Sequence, residues 1–111
     1  MRKLTTDHSY VEKLVKDGTI TKEQAHNHPK KNMLTKALGC TIFVEPDVTV
    51  KGFIKDDIIL MCSDGLTNMI SENEIYDILL NNPDEPANVL INKANEQGGY
   101  DNITTIVVDN I

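Results

Sequence analysis

The sequence predicts an α+β fold, in which amphipathic helices pack on an antiparallel sheet. Two observations favour this class. Strand-like and helix-like segments occur in successive blocks rather than in strict alternation, and the clearest of them lie in residues 40–111. Residues 1–39 are more polar and carry all three histidines of the chain. We therefore expect a single domain over residues 1–111, with a polar zone at 1–39 and a core-forming zone at 40–111.

The polar zone carries signals for short helices. The segment Tyr10–Asp17 predicts a helix that ends at Gly18, a residue common just after a helix. Thr21 and Gln24 have the spacing of a capping box, which begins a second helix that ends before Pro29. Residues 33–38, closed by Gly39, predict a further helical turn.

Two strand signals follow in the core-forming zone. Apolar and polar residues alternate over residues 48–53, which predicts a strand. The continuous apolar run Ile58–Cys62 is typical of a buried strand, so we expect Cys62 to be a buried thiol. The turn-forming residues 55–57 lie between the two runs. We therefore predict that these runs form a hairpin.

Two amphipathic helices are expected before the end of the chain. Ser71 and Glu74 form a capping box for the first, and Pro86 suits the first turn of the second. Each helix has its apolar residues on one face. These residues are Ile75, Ile78 and Leu79 in the first helix, and Ala87, Leu90, Ile91 and Ala94 in the second. After Gly98-Gly99, the β-branched run Ile103–Val108 predicts a last strand.

Composition excludes several classes of protein. The net charge of -6 argues against a nucleic-acid partner, because phosphate backbones bind basic surfaces. The first residues lack an apolar signal-peptide region, and the longest apolar run is five residues, Ile58–Cys62, so no membrane association is expected. Two cysteines are too few for a disulfide framework. We therefore expect a cytoplasmic protein.

Two aspartates stand where a sheet would bring them together. Asp64 lies two positions after the end of the run Ile58–Cys62, and Asp101 precedes the last strand. If those strands are neighbours, both carboxylates lie at the same edge of the sheet. Nearby carboxylates repel unless a cation intervenes, and oxygen ligands suit Mg²⁺ or Mn²⁺. Alternatively, each is a loop aspartate that makes turn hydrogen bonds. The spacing alone leaves both interpretations open.

The motifs around these aspartates resemble a known family. Residues 57–66 and 99–104 are similar to two separated motifs of the type 2C (PPM) family of metal-dependent protein serine/threonine phosphatases, bacterial branch. Residues 4–9, 32–39 and 74–75 give supporting matches in the same order. The resemblance runs from about residue 3 to 109 and concerns the carboxy-terminal half of the family domain. One small departure is Asp56-Asp57, where the family usually has Gly-Asp.

The resemblance implies a fold, an activity and a set of site residues. The fold would be part of an α-β-β-α sandwich of antiparallel sheets flanked by helices. The complete enzyme would hydrolyse phosphoserine and phosphothreonine in phosphorylated proteins, the products of a serine/threonine kinase, with water activated by two or more Mn²⁺ or Mg²⁺ ions. The implied metal ligands are Asp64 and Asp101, supported by Ser63, Gly65 and Asn102. Residues 7–37 correspond to the flap beside the cleft, which contains Asp7, His8 and Ser9.

The resemblance also implies that this site is incomplete. The family's amino-terminal Asp-Gly-x-Gly-Gly motif, its phosphate-binding arginine and its Gly-Asp-Ser/Thr-Arg segment have no counterpart in these 111 residues. We therefore expect the isolated chain to be inactive, to bind metal weakly or not at all, and either to self-associate or to be partly disordered. The alternative is a non-catalytic pseudophosphatase or a fragment that only binds partners.

Overall fold

The structure is a computed structural model that describes all of residues 1–111. The chain divides into two compact units. One consists of residues 2–50 and the other essentially of residues 51–111. The candidate metal ligands lie in the second unit and the flap residues in the first, so each unit is described by itself.

The first unit is built from two short helices and a short pairing of extended segments. Helix α1 spans Tyr10–Lys16 and is capped by the side chain of Ser9. Helix α2 spans Lys22–His26 and begins with the predicted capping box, in which Thr21 and Gln24 bond each other reciprocally. Val11 is the only buried side chain of this unit. The conformation of the first unit therefore depends largely on hydrogen bonds rather than on a hydrophobic core.

The predicted helical turn at residues 33–38 is wrong. Leu34 forms an isolated antiparallel bridge with Ser9. The N–H of Tyr10 donates to the carbonyl oxygen of Met33 at 3.0 Å, and the N–H of Thr35 donates to the carbonyl oxygen of His8 at 2.9 Å. Because these backbone groups are used by a distant segment, they are not available for helical bonds along the chain.

The second unit contains a two-stranded sheet and three helices, which confirms the predicted α+β class. Strands β1 (Ile58–Cys62) and β2 (Thr105–Asp109) are antiparallel, with the register running from Ile58 opposite Asp109 to Cys62 opposite Thr105. The connection carries α3 (Asp64–Thr67), α4 (Glu72–Asn81) and α5 (Pro86–Glu96). The capping box of Ser71 and Glu74 and the position of Pro86 at the start of α5 are as predicted.

The core of this unit lies between the helices and one face of the sheet. Its buried residues come from the helices and from the turn after α3: Leu66, Ile70, Ile75, Leu79, Leu90 and Ala94. Leu60 and Val107, which are opposite each other in the register, pack against this cluster from the sheet. Of the helix faces predicted from the sequence, Ile75, Leu79, Leu90 and Ala94 are in the core and Ile78 packs against it. Ala87 and Ile91 are only partly buried.

The predicted hairpin of residues 48–53 with β1 is wrong. Residues 48–53 form no strand, and the side chains of Val48 and Val50 are 83% and 90% exposed. The partner of β1 is β2, which is distant in sequence. Alternation alone does not make a strand, because the backbone also needs a neighbouring segment to bond.

Cys62 is exposed, so the prediction of a buried thiol is also wrong. It lies at the last position of β1, beyond the part of the strand that Leu60 anchors on the core. The turn before β1 is as predicted. Asp56 adopts a positive φ of 69°, a conformation that aspartate tolerates better than most residues. This accounts for Asp at a position where the similar family usually has Gly.

No helix of the chain is both long enough and apolar enough to cross a membrane.

Candidate metal centre

Ser63 joins the two segments that carry the candidate metal ligands. Its N–H donates to the carbonyl oxygen of Thr104 at 3.0 Å, which continues the pairing of the strands by one residue. Its hydroxyl donates to the carbonyl oxygen of Asn102 at 3.3 Å and accepts the N–H of Thr104 at 3.0 Å. The loop before β2 is therefore fixed to the end of β1 by three hydrogen bonds that involve one residue.

Gly65 allows the same two segments to approach closely. It is buried, and a Cβ atom placed on it would overlap the backbone carbonyl oxygen of Asn102. Close backbone approach, rather than a positive φ, therefore accounts for a glycine at this position. A larger residue would push the loop of Asn102 away from α3.

Asp64 is the first residue of α3 and its side chain is exposed. Its backbone carbonyl oxygen accepts the N–H of Asn68 at 2.9 Å and the hydroxyl of Thr67 at 3.5 Å. Its carboxylate makes no hydrogen bond or ion pair, so its oxygen atoms are open to solvent. The four-residue helix that begins at Asp64 was not predicted, because Gly65 disfavours a helix and the segment is too short to show a period.

Asp101 lies in the loop before β2 and is also exposed. One oxygen of its carboxylate, Oδ1, accepts the N–H of Asn102 at 2.6 Å. This bond to the adjacent residue is local, but it is not the Asx-turn bond, which reaches the residue two positions on. The other carboxylate oxygen, Oδ2, makes no hydrogen bond.

The pairing of β1 with β2 brings the two aspartate-bearing segments to the same end of the sheet. The condition set by the sequence, that the flanking strands be neighbours, is therefore met. However, no group of three or more His, Cys, Asp or Glu side chains is arranged to hold a metal ion. The donors fit a hard cation in chemistry, since carboxylate oxygens suit Mg²⁺ and Mn²⁺. Two carboxylates alone would hold such an ion weakly, because they leave most of its six-oxygen coordination shell to water.

Comparison with known proteins gives matches over nearly the whole chain. No family model matches the sequence. The serine/threonine phosphatase stp of Listeria welshimeri is 50% identical over 111 residues, which are 98% of this chain and 44% of that protein. The putative protein phosphatase 2C-type of Streptococcus pyogenes is 47% identical over 109 residues, 96% of this chain and 44% of that protein. The chain thus spans less than half the length of these relatives.

Solved structures agree with these matches. The serine/threonine phosphatase of S. agalactiae has a TM-score of 0.87 and 43% identity, over 96% of this chain and 45% of that one. The catalytic domain of the serine/threonine phosphatase PstP, in complex with two manganese ions, has a TM-score of 0.82 and 36% identity, over 96% of this chain and 44% of that one. The chain belongs to the PPM, or type 2C, phosphatase family and matches its carboxy-terminal part.

In this PPM-family chain, the predicted flap residues are each engaged within the first unit. Asp7 pairs with Lys3 at 3.0 Å. Ser9 accepts the N–H of Glu12 at 3.2 Å as the cap of α1. The Nε2 atom of His8 lies 2.6 Å from Oδ2 of Asp47. The structure therefore places Asp7, His8 and Ser9 side by side at the entry to α1, but each bonds a different partner.

Two residues of this region, Lys36 and Asp47, were missed by sequence reasoning. The Nζ atom of Lys36 donates to Oδ1 of Asp47 at 3.3 Å, while His8 contacts the other oxygen of the same carboxylate. Hydrogen bonding by His8, and then by Lys36, lowers the pKa of Asp47 below the usual aspartate value. No sequence signal could have found this group, because His8 and Asp47 are 39 positions apart.

Proposed function

We propose that this chain is the carboxy-terminal, ligand-bearing part of a metal-dependent phosphatase that removes phosphate from phosphoserine and phosphothreonine in proteins. One observation carries the proposal: Ser63 and Gly65 fix the Asp64 segment against the Asp101 loop, at one end of the β1–β2 sheet. Two aspartate-bearing segments held together in this way are suited to share a cation. The names of the relatives, which are serine/threonine phosphatases, support the reaction and the phosphoprotein substrate class.

In this proposal Asp64 and Asp101 would hold Mn²⁺ or Mg²⁺. Such ions lower the pKa of water and stabilise negative charge on a phosphoryl group. The manganese ions of the similar PstP domain support the choice of metal. The chain's own contribution is to present open carboxylate oxygens, Oδ2 of Asp101 and both oxygens of Asp64, from a backbone that Ser63 holds in place.

We further propose that the isolated chain is inactive. Two carboxylates do not complete the coordination of a hard cation. Its only arginine, Arg2, lies outside the unit that carries the two aspartates. Relatives more than twice as long support the view that the remaining ligands come from outside these residues. Self-association of the isolated chain is part of the same proposal and rests on the exposed apolar side chains of Met61 and Ile106, which are opposite each other in the sheet. We propose the cytoplasm as its location, where a serine/threonine kinase would produce its substrates.

The first test measures Mn²⁺ binding to the 111-residue chain by calorimetry, together with hydrolysis of a phosphothreonine peptide. We expect weak Mn²⁺ binding, with no turnover. Binding should fall at least about tenfold in Asp64→Asn and in Asp101→Asn, because each variant removes a charged oxygen ligand. Asp84→Asn is the matched control, since Asp84 is an exposed loop aspartate between α4 and α5.

Either part of the proposal can fail separately. Equal Mn²⁺ binding by all three variants and the unchanged chain would remove the metal-ligand role and favour a partner-binding fragment. Turnover by the chain alone, lost in Asp64→Asn and Asp101→Asn, would contradict the proposed inactivity. Turnover that appears only after a relative's amino-terminal part is added would support both parts.

A further inference from the structure

A short ladder in the first unit joins two segments that are far apart in sequence. Residues 8–10 pair with residues 33–35 through the bridge of Ser9 with Leu34 and two flanking backbone hydrogen bonds. His8 is the first residue of one segment of this ladder, and Lys36 directly follows the last residue of the other segment. The ladder therefore places one imidazole and one ammonium group near each other, on different segments.

Asp47 is bonded from both sides of the ladder. Its Oδ2 lies 2.6 Å from Nε2 of His8, and its Oδ1 lies 3.3 Å from Nζ of Lys36. Lys36 also donates to the backbone carbonyl oxygen of Glu45 at 3.4 Å. Lys36 and Asp47 flank the loop of residues 37–46. The bond between their side chains therefore holds the two ends of this loop together.

Little else holds that loop. Residues 37–46 contain no buried side chain. Within the loop, the hydroxyl of Thr41 donates to the carbonyl oxygen of Phe43 at 2.8 Å. The N–H of Cys40 donates to the carbonyl oxygen of Ala37 at 3.4 Å. Its apolar side chains Leu38, Ile42 and Phe43 point into solvent. Burial cannot fix the conformation of such a segment, so hydrogen bonds at its ends must do so.

We propose that His8, Lys36 and Asp47 form an ionic clasp that closes loop 37–46 and orients the neighbouring Asp7–Ser9 segment. Asp47 is the positioning residue of the clasp, because it alone bonds both sides. That Asp7–Ser9 is a phosphatase flap rests on the proposed function. The clasp itself does not, since it involves neither Asp64 nor Asp101.

The charges around Asp47 agree with this role. The two groups that face its carboxylate are His8 and Lys36. The lowered pKa of Asp47 means that its ionised form is favoured by the folded arrangement. The contribution of the clasp is therefore present above the ordinary aspartate pKa. It is lost as the pH falls through the lowered pKa of Asp47.

Backbone dynamics of the 111-residue chain test the clasp at neutral pH without metal. In Asp47→Asn we expect the heteronuclear ¹⁵N NOE of residues 37–46 to fall. We also expect the amide of Thr35, which closes the ladder, to exchange about threefold faster. Asp47→Glu should retain most of the order of the unchanged chain. Asp17→Asn is the control, because Asp17 is an exposed aspartate of the same unit whose carboxylate bonds no other group.

A double-mutant cycle separates the clasp from independent surface contacts. Lys36→Gln and Asp47→Asn should each speed Thr35 exchange, and the double variant should exchange no faster than Asp47→Asn alone. Purely additive effects would overturn the proposal, as would an Asp47→Asn chain that behaves like Asp17→Asn. Faster exchange that extends equally to the core amides of α5 would also overturn it, because a clasp acts locally. None of these results depends on whether the chain binds Mn²⁺.

Discussion

Gly65 determines how closely the two aspartate-bearing segments approach. We expect Gly65→Ala to destabilise the chain by about 2 kcal/mol, because the new Cβ would overlap the backbone carbonyl oxygen of Asn102. That oxygen belongs to a loop that Ser63 already fixes, so it cannot move aside at low cost. Urea unfolding followed by circular dichroism measures the change.

Gly52→Ala is the matched control for this substitution. A Cβ on Gly52 would meet nothing within 4 Å, so the same chemical change should leave the urea midpoint nearly unaltered. If Gly65→Ala were as stable as Gly52→Ala, the close approach of the two segments would not be a feature of the folded chain in solution. The two aspartate-bearing segments would then not be held together as a shared site requires.

The capping boxes of α2 and α4 show how an element's packing decides what its local motif contributes. Both boxes have the same reciprocal hydrogen bonds, between Thr21 and Gln24 and between Ser71 and Glu74. Helix α2 has five residues and buries none of them. Helix α4 has ten and buries Ile75 and Leu79 in the core. A defect at the start of α4 therefore affects the whole unit, while a defect at the start of α2 remains local.

We expect Ser71→Ala to lower the free energy of unfolding of the second unit by about 1 kcal/mol. The variant loses the hydroxyl that accepts the N–H of Glu74 at 3.3 Å. Thr21→Ala removes the equivalent bond in α2 and should leave the main thermal transition in place. Thermal unfolding followed by circular dichroism compares the two. Equal shifts for both variants would contradict the view that α2 is held only by its local bonds.

The elements that could be predicted from the sequence are those fixed by their own local signals. Helices α4 and α5 carry caps and an apolar face, and β1 and the last strand are runs of apolar or β-branched residues. The predictions that are wrong depended on which segments of the chain pair with each other. The strand expected at residues 48–53 has no neighbouring segment to bond, and residues 33–38 pair with residues 8–10 instead of forming a helical turn.

The same difference between local signals and contacts of distant segments applies to the candidate site. Asp64 and Asp101 could be selected because each stands next to a recognisable strand, and their family motifs add to that local signal. Other contacts depend on chain segments that meet only after folding. These are the hydrogen bonds of Ser63 with Asn102 and Thr104, and the bonds of His8 and Lys36 with Asp47. No spacing in the sequence indicates which carboxylate an imidazole 39 positions away will reach.

At the scale of the whole molecule, the second unit covers only one face of its sheet. Leu60 and Val107 face the helices. Met61 and Ile106, opposite each other in the register, belong to the other face and are each 52% exposed. A two-stranded sheet with one uncovered apolar face is marginally stable in water, and its unpaired edges can bond another strand. Both properties favour association of the isolated chain with a second copy of itself.

We expect the isolated chain to form dimers or larger species, measured by size-exclusion chromatography with light scattering. The double variant Met61→Gln with Ile106→Thr should raise the apparent dissociation constant at least about tenfold, because two apolar side chains would no longer be buried in the contact. Leu80→Gln is the control, since Leu80 is 54% exposed but lies on α4, away from the sheet. A monomeric unchanged chain would contradict self-association. An equal effect of Leu80→Gln would show that the sheet face is not the contact, and that general surface hydrophobicity causes the association instead.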